Sequence, residues 1–354
     1  MKKVIASLLL LLTLAGSLCT FTSCGNKNKQ QVPHVGKSQS APYELLLVAN
    51  KDWLKTMAGQ TLSVVLDSPI EGLPQPETHF RLTTIDPLNF DGTFHFYANV
   101  IQVQIGQEYK EAKVTMINDA YCTPQLILNL QAPNDEEFIK LVRDRADLIL
   151  DIFDQREIER ERGLLAKHYS GKVQKEAKRL FGIDFHAPED ISKVKTGKNF
   201  LWASDENEFQ LNVCAYTVSM RDMNVDRFIA MRDSVMSVNI PGDKEGQWME
   251  TDSRTVSMKE KEIGDANVPV TIFRGLWDMR NDAMGGPFVS YVYTDHTNDR
   301  LLVVEGFIFA PQKDKRAFIR ELEGSLRTVV MEETKKVVTK STKGEEISSD
   351  EKSE

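Results

Sequence analysis

Short apolar runs bounded by turn residues alternate with longer amphipathic segments along the first half of the chain. Runs of the first kind predict strands, and an apolar period of three to four residues predicts helices. The predicted strands cover residues 43–50, 80–85, 94–105, 112–118 and 124–131. The predicted helices cover residues 53–66, a segment that begins at Asp135, and residues 172–181. Up to the helix that begins at Asp135 the order is strand, helix, four strands, helix, and residues 172–181 add a second helical stretch.

The second half of the chain repeats that order. Its strands are predicted at residues 209–219, 247–259, 268–279, 287–293 and 301–310, with helices at 225–238 and 315–329. In both halves an alanine-proline pair, Ala132-Pro133 and Ala310-Pro311, lies between the last strand and a helix. The pattern predicts an α+β fold of two similar subdomains, residues 42–182 and 208–330, joined by a loop-rich linker at 183–207. Each subdomain is expected to be a mainly antiparallel sheet with helices on one face.

The N-terminus has the layout of a secretory signal peptide. Two lysines precede a leucine-rich run without charge, residues 4–21. A bulky apolar residue three places before Cys24 and a serine just before it resemble a bacterial lipobox. We therefore expect cleavage after residue 23 and acyl chains, palmitate among them, on Cys24. One alternative is an uncleaved transmembrane anchor, because about eighteen apolar residues just span a bilayer. The other alternative is a soluble secreted form.

Polar segments flank the predicted globular region. Residues 24–41 cannot bury a core and predict a flexible tether, and the charged tail at 331–354 is expected to be disordered. The first charges after Cys24 are lysines rather than an acidic run, which favours a lipid-anchored protein that faces the periplasm. The formal net charge of −8 excludes nucleic acid as an expected partner, because no basic patch is present to neutralise phosphates.

Familiar catalytic and metal-binding motifs are missing from the sequence. It contains no GxSxG, HExxH, P-loop or CxxC pattern. None of its six histidines stands at ligand spacing from another histidine or a cysteine, so we expect neither metal nor cofactor. Outside the signal region, Cys122 and Cys214 are free to form a disulfide in an oxidising compartment, or to remain two buried thiols. The sequence thus leans away from an enzyme.

Two charges interrupt otherwise apolar strand faces in the second half. Alternation places Arg274 among apolar residues on one face of strand 268–279, and Glu305 among apolar residues on one face of strand 301–310. A buried charge is costly unless it is paired. We therefore expect Arg274 and Glu305 to lie on the same side of one sheet and to meet across one intervening strand. The pair is either structural or a perturbed functional pair.

A glycine-bearing turn nearby is a candidate binding site. Trp277 and Asp278 precede it, and Gly285 and Gly286 lie within it. The glycines permit backbone angles that side chains forbid, and the two preceding residues offer stacking and hydrogen bonding to a ligand. The simpler interpretation is a hairpin whose tryptophan packs in the core.

Several unusual strings occur in the order found in one known family. They are Gly72-Leu-Pro-Gln-Pro-Glu77, Pro124-Gln-Leu-Ile-Leu128, Gln131-Ala-Pro-Asn134, Phe200-Leu-Trp-Ala-Ser204, Arg232-Asp-Ser-Val235, Asn239-Ile-Pro-Gly242, Gly275-Leu-Trp277 and Met284-Gly-Gly-Pro-Phe288. With these strings, residues 43–329 resemble the domain-of-unknown-function 4837 family (DUF4837). Its members are mostly lipoproteins of Bacteroidota envelopes, so the resemblance implies an envelope address. It implies no activity, cofactor or catalytic residue.

These observations predict a membrane-anchored envelope lipoprotein that acts as a non-catalytic binding or scaffold module. Its expected partners are the membrane, through lipid on Cys24, and an envelope protein or other envelope component. One alternative is an envelope hydrolase with a cleft in which Arg274, Asp278 and Glu305 converge. Another is a carrier of a small hydrophobic or glycan ligand, which requires a closed cavity of a few hundred cubic ångströms.

Overall fold

The computed structural model describes residues 36–205, 207–219, 223–264 and 267–331. Cys24, the predicted signal peptide, most of the predicted tether and residues 332–354 of the predicted tail lie outside the described residues. Within the described ranges, no helix is long and apolar enough to cross a membrane.

Strands and helices alternate in the first half, as the hydrophobic pattern predicts. The strands are β1 (Gly36–Lys37), β2 (Glu44–Val48), β3 (Arg81–Ile85), β4 (Asn99–Ile105), β5 (Lys113–Asn118), β6 (Cys122–Thr123) and β7 (Leu126–Ala132). The helices are α1 (Met57–Leu66), α2 (Asp135–Asp144) and α3 (Ala146–Leu165). Asn134 begins α2, because its side chain accepts a hydrogen bond from the backbone N–H of Glu137. The single helix predicted from Asp135 is interrupted at Arg145, which separates α2 from α3.

Parallel pairing dominates the sheet of the first half. Its strand order is β3-β2-β4-β7-β5. Strand β2 runs parallel to β3 and β4, and β4 runs parallel to β7, whereas β5 is antiparallel to β7. The mainly antiparallel sheet predicted for this half is therefore wrong. Parallel neighbours need a crossover connection, and α1 provides one between β2 and β3. An apolar run marks a strand without giving its direction.

Two apolar layers cover the first sheet. Leu62 of α1, Phe138 of α2 and Phe153 of α3 are buried on the face that contains Leu128 of β7. The opposite face packs against the 3-10 segment Gly92–Phe96 and its neighbours. Complete burial of such side chains contributes roughly 1.5–3 kcal/mol each, so the three helices fix the position of this sheet.

The second half supplies a larger sheet. Its strands are β8 (Lys193–Thr196), β9 (Phe200–Ser204), β10 (Gln210–Val218), β11 (Met249–Ile263), β12 (Val268–Met279), β13 (Gly285–Asp295) and β14 (Arg300–Phe309). Its helices are α4 (Gly171–Phe181), α5 (Val225–Asn239) and α6 (Arg316–Leu326). The seven strands pair in the order β11-β12-β13-β14-β10-β9-β8. Every pairing is antiparallel, as predicted for this half.

Helices cover both faces of the seven-stranded sheet. Helix α5 lies on one face, where the ring of Phe228 stacks on Phe273 at a centroid distance of 3.9 Å. Helices α4 and α6 lie on the other face, where Val173 and Leu322 are buried. The prediction of helices on one face is wrong for this half. Its central strands β13 and β14 are buried on both sides and therefore need two covering layers.

The α+β class is confirmed, but the predicted similarity of the two halves does not extend to their topology. One sheet is mostly parallel and the other is antiparallel. The predicted linker at 183–207 also differs from the structure, because its residues form β8 and β9 at the edge of the second sheet. Helix α4, predicted as part of the first subdomain, packs in the core of the second.

Candidate binding cleft between the two halves

Arg274 and Glu305 lie on opposite faces of the seven-stranded sheet, so the predicted contact between them is wrong. Arg274 is aligned with Val289, which is aligned with Gly306, whereas Glu305 is aligned with Ser290. Neighbouring residues of a strand point to opposite faces, so this offset of one residue separates the two side chains. Strand alternation correctly placed each charge on a face with buried apolar residues of its own strand. The register between the strands decided that the two charges do not meet.

Glu305 pairs instead with Arg232 of α5. Both side chains are completely buried, and Nη2 of Arg232 lies 2.8 Å from Oε1 of Glu305. Ser290 donates to Oε2 of Glu305 at 2.7 Å, and Nη1 of Arg232 donates to Thr251 at 2.8 Å. Burial alone would lower the pKa of Arg232. The neighbouring carboxylate of Glu305 has the larger effect, so the pKa of Arg232 is above its usual value. This closed network fixes α5 on its face of the sheet.

Arg274 faces α6, where three charged residues form one side of the helix. Arg320, Glu323 and Arg327 are spaced three and four residues apart, which places them on one helical face. Nη2 of Arg274 donates to Oε1 of Glu323, and Nη1 of Arg320 donates to Oε2 at 3.0 Å. Burial raises the pKa of Glu323, but Arg274, Arg320 and Arg327 outweigh burial and hold the pKa below its usual value.

Arg320 joins this network to the first half of the chain. Its Nη2 donates to Oδ2 of Asp154 in α3 at 2.7 Å. Nδ1 of His79 lies 2.7 Å from the same oxygen. Burial raises the pKa of Asp154, but Arg320 and His79 outweigh it and the pKa is lowered. Asp154 therefore stays ionised and ties the two halves together.

A cavity of about 340 Å³ opens beside these charges. Its walls are α3 and residues 68–71 of the first half, and α6 and strands β11 to β13 of the second. At the rim of the cavity, Nζ of Lys259 lies 3.1 Å from Oε2 of Glu71. Nζ of Lys261 lies 3.0 Å from Oδ1 of Asp151. In the pairs that cross the cleft, the first half provides the carboxylates and the second half provides the cations. We call this cavity the inter-domain cleft.

The proline-rich loop at residues 72–77 positions two walls of the inter-domain cleft. Gly72 has a φ of +81°, and a Cβ there would lie 3.0 Å from Cβ of Arg274. A larger residue at this position would be strained and would crowd the strand. At the other end of the loop, Glu77 accepts hydrogen bonds from the backbone N–H groups of Lys315 and Arg316, where α6 begins.

The four residues of the predicted glycine turn form a packed hairpin. Trp277 is buried and donates from Nε1 to the carbonyl of Ile308 at 3.2 Å, whereas Asp278 is exposed. Gly285 and Gly286 lie in β13 opposite these two residues, outside the turn. A Cβ at Gly286 would lie 2.0 Å from the carbonyl oxygen of Ile308. Position 286 therefore requires glycine because the backbone of Ile308 lies so close, and not because of an unusual backbone angle.

The cleft residues His79, Asp154, Arg320, Glu323 and Arg327 were missed by sequence reasoning. The one local signal was on α6, where charges of alternating sign continue the apolar side of an amphipathic helix. Charges placed there are expected to be buried and paired.

The two remaining cysteines take no part in the inter-domain cleft. Cys122 and Cys214 are buried free thiols, so they form no disulfide with each other. Burial raises the pKa of both thiols. Among the residues that the structure describes, no group of three or more histidine, cysteine, aspartate or glutamate side chains is arranged to hold a metal.

The fold and the cleft define a protein of two unlike α+β domains, one with a mostly parallel sheet and one with an antiparallel sheet, that share a charged cleft. Residues 170–328 match the model of a family named only as a domain of unknown function, DUF4837. This confirms the resemblance, over a shorter range than the predicted 43–329. Residues 38–166 match a different family model, domain of unknown function DUF8532. No curated protein matches the chain.

Proposed function

We propose that the protein is a lipid-anchored binding module of the bacterial cell envelope, held at a membrane through Cys24 and facing the periplasm. The signal-peptide pattern of residues 1–23 and the lipobox-like residues before Cys24 support the anchor. The polar segment after Cys24 serves as the tether between the lipid and the folded domains. The folded domains bind an envelope protein or another envelope component.

The inter-domain cleft is the observation that carries the binding function. Small-molecule sites are typically concave, occupy roughly 300–1,000 Å³ and often lie where two domains meet. The cleft has about 340 Å³ and is lined by charged side chains from both domains. Nδ1 of His79 is already engaged by Asp154 and Arg320, so this histidine orients its neighbours. The arrangement suits recognition of a polar ligand.

The two alternative functions find less support in this geometry. The hydrolase version requires Arg274, Asp278 and Glu305 to converge. Arg274 faces α6, Glu305 is buried on the opposite face of the sheet, and Asp278 is exposed. A carrier of a hydrophobic ligand requires an apolar cavity, whereas the charged rim and floor of the cleft favour a polar ligand. A carrier of a glycan requires a polar site, and the charged lining does not count against it.

Crosslinking in intact cells tests this proposal. A tagged wild-type protein and its Cys24→Ala variant are crosslinked, purified and analysed by mass spectrometry. We expect acyl chains on the N-terminal peptide of the wild type and one dominant crosslinked partner. Both should be lost in Cys24→Ala, which should also leave the membrane fraction. Unmodified Cys24 with unchanged membrane association in the variant would overturn the anchor. A wild type without any crosslinked protein would overturn an envelope protein as the partner.

A further inference from the structure

Arg274 presents unfilled hydrogen-bond donors to the inter-domain cleft. Nη2 donates to Glu323, and no described protein group accepts from Nε or Nη1. The side chain is 15% exposed and lines the cavity, so these donors reach its interior. Arg327 also has an unfilled donor. Its Nε donates to Tyr291 and its Nη1 donates to Gln155, whereas its Nη2 has no partner among the described residues.

Three carboxylate oxygens beside these donors already accept hydrogen bonds from arginines. Oε1 of Glu323 accepts from Arg274 and Oε2 accepts from Arg320. Oδ2 of Asp154 accepts from Arg320 as well. Donors in partly buried sites are nearly always satisfied by a protein group, by water or by a ligand. Oδ1 of Asp154 and Nε of Arg320 are both buried without a hydrogen-bond partner in the part of the chain that the structure describes. The three guanidinium groups beside the cleft therefore carry more unpaired donors than Asp154 and Glu323 carry unpaired acceptors.

We propose that the inter-domain cleft binds a small molecule through an oxyanion group, a carboxylate or a phosphate, and that Arg274 and Arg327 contact this group. The inference rests on the proposed binding function and names its ligand class. A guanidinium presents a planar fork of N–H donors that matches two oxygens of such a group.

The surroundings of Arg274 favour a fixed geometry for this contact. Arg274 and Tyr291 lie on the same face of neighbouring strands, since Arg274 is aligned with Val289, two residues before Tyr291. The loop at Gly72 contacts the stem of Arg274 from the other side. The rim cations Lys259 and Lys261 are neutralised by Glu71 and Asp151. Selectivity is therefore expected from the two arginines rather than from general attraction of anions.

Calorimetric titration of the purified full-length chain with inorganic phosphate and with acetate tests this inference. Ionic strength is held constant with chloride. We expect saturable one-to-one binding, with a Kd that rises at least about tenfold in Arg274→Lys, which keeps the charge beside Glu323 but loses the fork. Lys259→Gln is the matched control, because it removes a cation at the rim, and its Kd should stay within about twofold of wild type. The tighter of the two probes identifies the oxyanion.

A second measurement avoids dependence on a variant that fails to fold. Crystals of the wild type soaked in selenate should show anomalous signal within hydrogen-bond distance of both Arg274 and Arg327. The inference would be overturned if neither phosphate nor acetate gave a saturable heat of binding, or if Arg274→Lys bound them with the same Kd as the wild type. Selenate bound away from both arginines would overturn it as well. Binding of a neutral sugar in the cleft would overturn the oxyanion and leave the binding function standing. Missing lipid on Cys24 would overturn the anchor alone.

Discussion

The carboxylate of Glu77 accepts a hydrogen bond of 2.7 Å from the backbone N–H of Lys315, a residue 238 positions later in the chain. Its second oxygen accepts from the next backbone N–H, that of Arg316, at 2.9 Å. A helix begins with N–H groups that have no partner inside the helix, and its N-terminus favours negative charge. One domain therefore provides the N-terminal cap for a helix of the other.

Replacement of Glu77 should weaken the fold measurably. Glu77→Ala removes both acceptors at the start of α6, and we expect a loss of about 1–2 kcal/mol in the free energy of unfolding. Urea denaturation measures it. Glu71→Gln is the matched control in the same loop region, because its pair with Lys259 is largely exposed, and a change below about 0.5 kcal/mol is expected. Equal effects of the two substitutions would contradict the cap.

Loss of the buried ion pair between Arg232 and Glu305 should lower the free energy of unfolding by more than loss of the Glu77 cap. Glu305→Gln leaves the guanidinium of Arg232 buried without its counter-charge, and we expect a loss of roughly 3–5 kcal/mol. A double variant, Arg232→Met with Glu305→Leu, should recover much of that loss, because neither charge then remains buried. Thermal and chemical denaturation of the three proteins provide the comparison. A double variant as unstable as Glu305→Gln would argue against the ion pair as the cause.

Stability should decline as the pH rises toward neutrality. Burial and the carboxylates of Glu161, Asp190 and Asp205 raise the pKa of Glu321 to about 7. Below a pH of about 4.5, Glu321 is protonated in both states. Between about 4.5 and 7 the folded state holds the proton more tightly, so its stabilising contribution is lost as the pH rises through this window. Because water screens a partly exposed group, we expect a loss on the order of 1–2 kcal/mol.

Glu321→Gln should remove that part of the pH dependence. Unfolding free energies measured at a series of pH values between 4.5 and 7.5 should fall with pH in the wild type and change less in this variant. The exposed Glu136 of α2 provides a control, since Glu136→Gln should leave the wild-type slope in place. A slope that persists in Glu321→Gln would assign it to other groups.

Two glycines allow a matched test of packing. Gly286→Ala places a Cβ against the carbonyl oxygen of Ile308, and the backbone must move. We expect a loss of about 1–3 kcal/mol in unfolding free energy. In α3, a Cβ at Gly163 meets nothing within 4 Å, so Gly163→Ala should raise stability by up to about 1 kcal/mol. Similar melting temperatures for both variants would contradict the close approach at Gly286.

Local patterns predicted most of the elements in the second half. Strand 268–279 was predicted with the bounds that β12 has, and α5 differs by one residue at its end. The direction of each strand and the register between paired strands were harder to predict, because both depend on which strands become neighbours in a sheet. In the first half, a run such as β2 is apolar at almost every position, which fits a strand covered on both faces. Its composition alone did not show that its neighbours run parallel.

The inter-domain cleft was inaccessible to sequence reasoning for a related reason. Arg274 was singled out correctly as a charge that needs a partner, yet its partner Glu323 lies on a helix rather than on a neighbouring strand. Asp154 and Arg320 meet only because two sheets with different topologies pack together. In the sequence, Asp154 and Arg320 each resemble an ordinary charge on the surface of a helix.

The hydrogen bonds around the inter-domain cleft also bear on the kinetics of folding. Asp154 and Arg320 are separated by 166 positions, and His79 and Arg320 by 241. Contacts this distant require closure of long loops, which slows folding. Helix α6 is synthesised after all fourteen strands described here. The cleft has all of its walls only when α6 has packed against both halves, so a ligand of the cleft binds a chain in which these distant contacts are already formed.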